Sequence, residues 1–114
     1  MNGIIISTGS EVNIAIKIAK ELQNKGTNIR VVSMPSMEAF EKQDEYYQKE
    51  IIEPLVKVVT LEASNDPNWY KYVTNNECVI NINNFGISAK REDVLKYENF
   101  DYESLLKKIE HNIK

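Results

Sequence analysis

A few places in this chain bring together side chains whose types could do chemistry. Thr8-Gly9-Ser10-Glu11 closes an apolar run and opens a periodic one, the pattern of a strand-to-helix turn. Free N–H groups and the dipole at such a helix start can hold an anion. Thr8, Gly9 and Ser10 are therefore the candidate anion-binding residues. The same stretch also satisfies a structural pattern, since Thr8-x-x-Glu11 fits a capping box and Ser10 is itself a good N-cap. With a lone glycine and neither GxGxxG nor GxxxxGK[ST] spacing, nothing supports a dinucleotide or P-loop site.

Cys78 and His111 are the candidates for a thiol–imidazole pair. Cys78 opens a strand, whereas sites in parallel sheets gather where strands end. His111 falls in the last turn of a terminal helix, where a cation is structurally useful. Glu41, Asp44, Glu45, Glu50 and Glu53 cluster around Tyr46 and Tyr47. A general acid among them would need burial to raise its pKa. The interleaved Lys42 and Lys49 instead fit a solvated helix face. Trp69, Tyr70 and Tyr72 read as core or as an interface, because no charged group converges on them in sequence. No Cys/His group has zinc spacing, and no D-x-[DN]-x-[DN]-G calcium loop is present.

These side chains hang on an alternation of strands and helices. Gly3–Thr8 is a short apolar run fit for a buried strand. From about Ser10 to Lys25, Val12, Ala15, Ile16, Ala19 and Leu22 share one helical face, and Gly26 sits where a left-handed C′ residue would end it. Asn28–Ser33 is the second strand, so the first segment is a right-handed βαβ unit. Ser36 to about Ile52 is helical and broken near Asp44, with Pro54 ending it. Val56–Leu61 is the third strand, Asn65–Asn68 a turn, Trp69–Val73 one or two helical turns, and Cys78–Ile82 the fourth strand. Asn83–Gly86 is a turn and Ser88 caps a helix to about Tyr97. Asp101 caps the last helix, on which Tyr102, Leu105, Leu106, Ile109 and Ile113 form one stripe. The pattern predicts an α/β fold of three layers, an αβα sandwich.

Composition narrows the function classes. At 114 residues the chain has room for one domain. Its 42% hydrophobic and 27% charged residues are ordinary for a globular protein. A net charge of -3, with Arg30 and Arg91 the only arginines and far apart, argues against nucleic acid as a partner. No apolar run approaches the roughly 20 residues that span a membrane. The start lacks the basic and long apolar regions of a secretory signal. One cysteine forms no internal disulfide, so a cytoplasmic location is the simplest expectation.

Short blocks, in order, carry a resemblance. They are Ile6–Val12, then Val31-Val32-Ser33-Met34-Pro35-Ser36, then Phe40–Tyr47 with the pattern Phe-x-x-Gln-(Asp/Ser)-x-x-Tyr. Glu62-Ala63 with Trp69-Tyr70-Lys71-Tyr72 follows, and Phe85-Gly86-Ile87-Ser88-Ala89 comes last. Together they resemble the carboxy-terminal domain of transketolases across nearly the whole chain. Two departures stand out: the family usually has an aromatic and a glycine before the tryptophan, where this chain has Asp66-Pro67-Asn68, and an arginine before Phe-Gly, where it has Asn84.

The resemblance implies a Rossmann-like domain whose four mainly parallel strands run in the order 2-1-3-4. The family also has an antiparallel strand upstream of what is Gly3 here, pairing along Asn28–Ser33. Without it, that edge lies open and is expected to self-associate. An opening directly on a buried strand fits a piece of a longer enzyme cut at a domain boundary. The full-length family enzymes move a two-carbon ketol unit between sugar phosphates in the pentose phosphate pathway, with thiamine diphosphate and Mg2+ or Ca2+, as homodimers. Their catalytic and cofactor residues belong to two preceding domains of the same polypeptide. The resemblance therefore implies no catalytic residue and no bound cofactor or metal in this chain, whose role would be structural, with a regulatory ligand sometimes suggested. Two rivals stay open: a stand-alone anion-binding regulatory module at Thr8-Gly9-Ser10, and the corresponding domain of a deoxyxylulose-phosphate synthase or a two-oxoacid dehydrogenase β-chain.

Overall fold

The computed structural model describes residues 2–9, 11–63, 66–81 and 102–113. The strands are β1 (Gly3–Ser7), β2 (Ile29–Ser33), β3 (Lys57–Glu62) and β4 (Val79–Asn81). The helices are α1 (Glu11–Asn24), α2 (Met37–Glu41), α3 (Glu45–Ile51) and α4 (Tyr102–Ile113), with 3-10 turns at Pro67–Tyr72 and Asn76–Cys78. The sheet order is β2-β1-β3-β4 and every pairing is parallel, as the resemblance implies. Gly3 stands opposite both Ile29 and Lys57, and Thr60 opposite Val79.

Central β1 is buried along its whole length, which suits its unbroken apolar run between two parallel neighbours. Its side chains alternate between the two faces of the sheet. Ile5 joins Val59, Leu61 and Ile80 under α1 and α4, where Ile14, Ile18, Leu22, Leu105, Leu106 and Ile109 are buried. Ile4 and Ile6 point the other way, with Val58, Met34 and Trp69. That second face is completed by half-buried side chains, among them Val32, Met37, Phe40, Ile52 and Tyr72.

Local chemistry sets the element ends. Thr27 N–H donates to Leu22 O at 2.8 Å and Gly26 N–H to Gln23 O at 3.0 Å, with Gly26 at φ 90°, a Schellman motif closing α1. Gly3 has a steric reason. A Cβ there would lie 2.7 Å from Ile113 Cγ2, so the bare backbone lets the end of α4 press onto the start of β1. The helical stretch after Pro35 divides where expected. Ser36 Oγ accepts from Ala39 N–H at 3.1 Å to start α2, and Asp44 Oδ1 accepts from Tyr47 N–H at 2.8 Å to start α3.

Several boundaries differ from the sequence expectation by a residue or two, and for two of them a turn hydrogen bond is the cause. Val56 N–H donates to Glu53 O at 3.2 Å, which keeps Val56 in the turn after Pro54 and starts β3 one residue later. Cys78 N–H donates to Asn75 O at 2.9 Å, so Cys78 ends a 3-10 turn and does not open β4. Ile82, the turn at Asn83–Gly86, the helix from Ser88 and the cap at Asp101 lie outside the described residues.

Candidate functional site

The strand-to-helix turn after β1 has a definite geometry on its described residues. Thr8 is half-buried and Gly9 is exposed at φ 63°, with Val12 N–H donating to Gly9 O at 3.3 Å. Ser10 lies outside the described residues. Glu11 is buried, at 6% exposure, and its Oε2 stands 3.4 Å from where a Cβ on Gly9 would be. A carboxylate thus folds back over the turn at the positive end of α1, where it interacts favourably with the dipole. An added anion would meet that negative charge first.

The thiol–imidazole pair does not form. Cys78 is buried in the core beneath α1 and α4, and burial, above all, pushes its thiol pKa up. His111 is exposed in the last turn of α4. A buried thiol held protonated is the opposite of an activated nucleophile.

The acidic residues of α2 and α3 are each engaged by a neighbour, Glu50 side chain excepted. Lys71 pairs with Glu41, and Tyr72 Oη donates to the same carboxylate at 3.0 Å. Lys71, and after it Tyr72, hold Glu41 below the usual carboxylate range. Burial first, then Glu41, push the Tyr72 hydroxyl up. A general acid needs the reverse shift. Asp44 caps α3, Glu45 lies 4.0 Å from Lys49, and Glu38 lies 3.3 Å from Lys42. Arg30, on the outer strand β2, donates from Nη1 to Glu50 O and Ile51 O, both at 3.0 Å, and its Nη2 stands 3.9 Å from Glu53. One guanidinium therefore ties the last carbonyls of α3 to the sheet edge.

The aromatic group splits. Trp69 is buried, while Tyr70 is exposed. Tyr72 packs edge-on to Phe40 with centroids 6.1 Å apart, and is tilted against Trp69 at 6.3 Å. The Arg30 and Lys71 contacts had no sequence signal, because they join residues far apart in the chain with no shared periodicity.

Two open grooves, each of about 670 Å3, flank α3. One runs along β2, past Val31, Val32, Tyr47 and Ile51. The other lies between the α3–β3 connection and the 3-10 turn, past Ile52, Leu55, Val58 and Tyr72. Phe40 lines both. Among the described residues no three His, Cys, Asp or Glu side chains gather as a metal site. A diphosphate with its divalent cation needs gathered hard oxygen donors. The described residues do not fit such a group: both grooves expose more apolar than polar surface, and Glu41 and Glu53 in their lining are ion-paired.

The chain matches the family described as Transketolase-like TK C-terminal domain over residues 1–101. It is 48% identical over 105 residues to a probable transketolase of Streptococcus pneumoniae, covering 91% of this chain and 16% of that protein. With a transketolase of Aquifex aeolicus the identity is 42% over 107 residues, covering 93% of this chain and 16% of that protein. A solved transketolase mutant from Pichia stipitis superposes with a TM-score of 0.76 at 29% identity, over 98% of this chain and 16% of that chain. The chain spans about 16% of the length of the curated relatives it matches.

Proposed function

The chain belongs to the transketolase C-terminal domain family, and from that premise we propose that it completes an enzyme whose chemistry is housed elsewhere in a longer polypeptide. That enzyme transfers a two-carbon ketol unit between sugar phosphates, as a step of the pentose phosphate pathway. It is a cytoplasmic homodimer, and its thiamine diphosphate and Mg2+ or Ca2+ are held by the preceding domains. The observation that carries this reading is the family match over residues 1–101, joined to coverage of only 16% of each full-length relative. The engaged carboxylates and buried thiol described above support it. Glu41 is held in its ionised form and Cys78 in its protonated one, so neither is activated as an acid or a nucleophile.

A two-carbon transfer assay tests the proposal, run on the 114-residue chain alone and on the same chain joined to its upstream sequence. Turnover is expected only from the longer protein. Turnover by the short chain, or a rise in its Tm with thiamine diphosphate and Mg2+, refutes the proposal, since binding to the native state raises apparent stability.

A regulatory anion at Thr8, Gly9 and Ser10 is a second and weaker proposal, because Glu11 already brings a negative charge to that turn. Phosphate titration followed at the Gly9 and Ser10 amides decides it, and unmoved resonances remove it.

A further inference from the structure

We propose that the outer edge of β2 is a self-complementary contact through which two copies of this chain join their sheets into one. β2 ends the sheet, and among the described residues no strand pairs with its outer side. Gly3 N–H donates to Asn28 O at 3.3 Å, and Met34 N–H to Ser7 O at 2.8 Å. Successive residues of a strand turn their backbone groups to opposite sides. Asn28, Arg30, Val32 and Met34 therefore face β1, while Ile29, Val31 and Ser33 turn N–H and C=O outward. Exposed edges are normally guarded by lysine, proline, a bulge or a covering segment. β2 has neither lysine nor proline, and its register with β1 runs unbroken from Ile29 to Ser33. Its one charge, Arg30, is held on the α3 side by Glu50 O, Ile51 O and the Glu53 carboxylate.

The spacing of the outward groups points to a second copy running antiparallel. With Val31 opposite Val31 of the second copy, Ile29 meets Ser33 and Ser33 meets Ile29. Each of these pairs can exchange both of its N–H···O bonds. Arg30 then faces Val32, so no like charges oppose each other. A slip of one residue sets outward groups against inward ones. A shift of two either places Arg30 against Arg30, which is destabilising, or leaves Ile29 without a partner in β2. The same patch serves both copies, so the contact is closed by a two-fold axis, here perpendicular to the sheet. Both copies keep α3 on one side of the joined sheet. The grooves beside β2, each lined by Val32, Tyr47 and Ile51, lie next to each other across that axis. Half-exposed Tyr47 gains cover there.

Light scattering on the 114-residue chain, over about a hundredfold range of concentration, tests the contact. The mass is expected to rise from one chain to two. Hydrogen exchange locates the contact by alternate residues. In the dimer the Ile29, Val31 and Ser33 amides are expected to slow at least about tenfold. The Arg30 and Val32 amides, which face β1 in either state, are expected to stay unchanged. Val31→Pro removes an outward N–H, a change an edge strand tolerates, and is expected to give a folded monomer at every concentration. If that variant does not fold, Ser33→Pro makes the same test at an exposed position. A single-chain mass throughout overturns the proposal. So does a dimer whose outward amides exchange as fast as in the monomer, which moves the contact to another face. Protection of those amides at constant single-chain mass overturns it too, by giving the edge to another segment of the chain.

Discussion

One side of this sheet is finished and the other is not, though the same strands supply both. Under α1 and α4, Ile5, Val59 and Leu61 meet Ile18, Leu22, Leu105 and Ile109, all at or near zero exposure. On the opposite side Ile4, Ile6 and Val58 meet Met34 and Trp69, and then only half-buried residues. Long helices with a continuous stripe close a face by themselves, because each turn adds another buried contact. Short capped helices place polar anchors well and leave apolar area uncovered. The contrast shows that α1 and α4 stabilise the domain, while α2 and α3 hold a surface in shape.

Truncation of Leu105 to Ala should give the largest effect, about 2–5 kcal/mol lost by denaturant unfolding, because a fully buried leucine leaves a cavity. Phe40→Ala in the short chain should cost clearly less. An equal loss would erase the distinction between the faces. Gly3→Ala comes next, at about 1–3 kcal/mol, since the new methyl group must displace Ile113. Asp44→Ala should cost about 1 kcal/mol through the lost cap of α3, and exchange should speed up in α3 but not in α1.

The smallest effect concerns pH. Lys71, then Tyr72, lower the folded pKa of Glu41, so its contribution is present above 4.5 and lost as pH falls through the lowered value. Lys71→Met should move the Glu41 carboxyl titration up toward 4.5 by NMR. An unmoved titration would mean the pair is not formed in solution.

What was legible in the sequence follows the same division. The stripe of α4 repeats over several turns, so its element and buried face could be read directly. Helix α1 was legible as an element, but its buried face runs through Ile14, Ala15, Ile18, Ala19 and Leu22, with Ile16 exposed and Val12 half-buried, contrary to the face read from sequence. Gly26 also carried its role in its type, needing a positive φ, whereas Asp44 marked only a break in the sequence and the structure makes it the N-cap of α3. The edges of β3 and β4 were misplaced by a residue or so because turn hydrogen bonds at Val56 and Cys78 override an apolar run. At the candidate sites, pairing decided what residue type could not. Glu41 looked like one of several equivalent carboxylates until Lys71 and Tyr72 were found on it. Arg30 looked like an isolated charge, and nothing near it in sequence pointed to the carbonyls of Glu50 and Ile51. Contacts of that kind depend on how the sheet edge meets α3, which no local pattern encodes.

The strand order carries a consequence for how the chain acquires its shape. β1 pairs with β2 on one side and with β3 on the other, and Gly3 faces Lys57 across that second pairing. During synthesis β1, α1 and β2 can assemble early, but the other edge of β1 must wait for Lys57 to emerge. Parallel pairing across so long a loop is intrinsically slow. Until it happens, a strand with three consecutive isoleucines offers unpaired N–H and C=O groups to any neighbouring nascent chain. The most buried strand of the finished protein is thus the most aggregation-prone segment of the unfinished one.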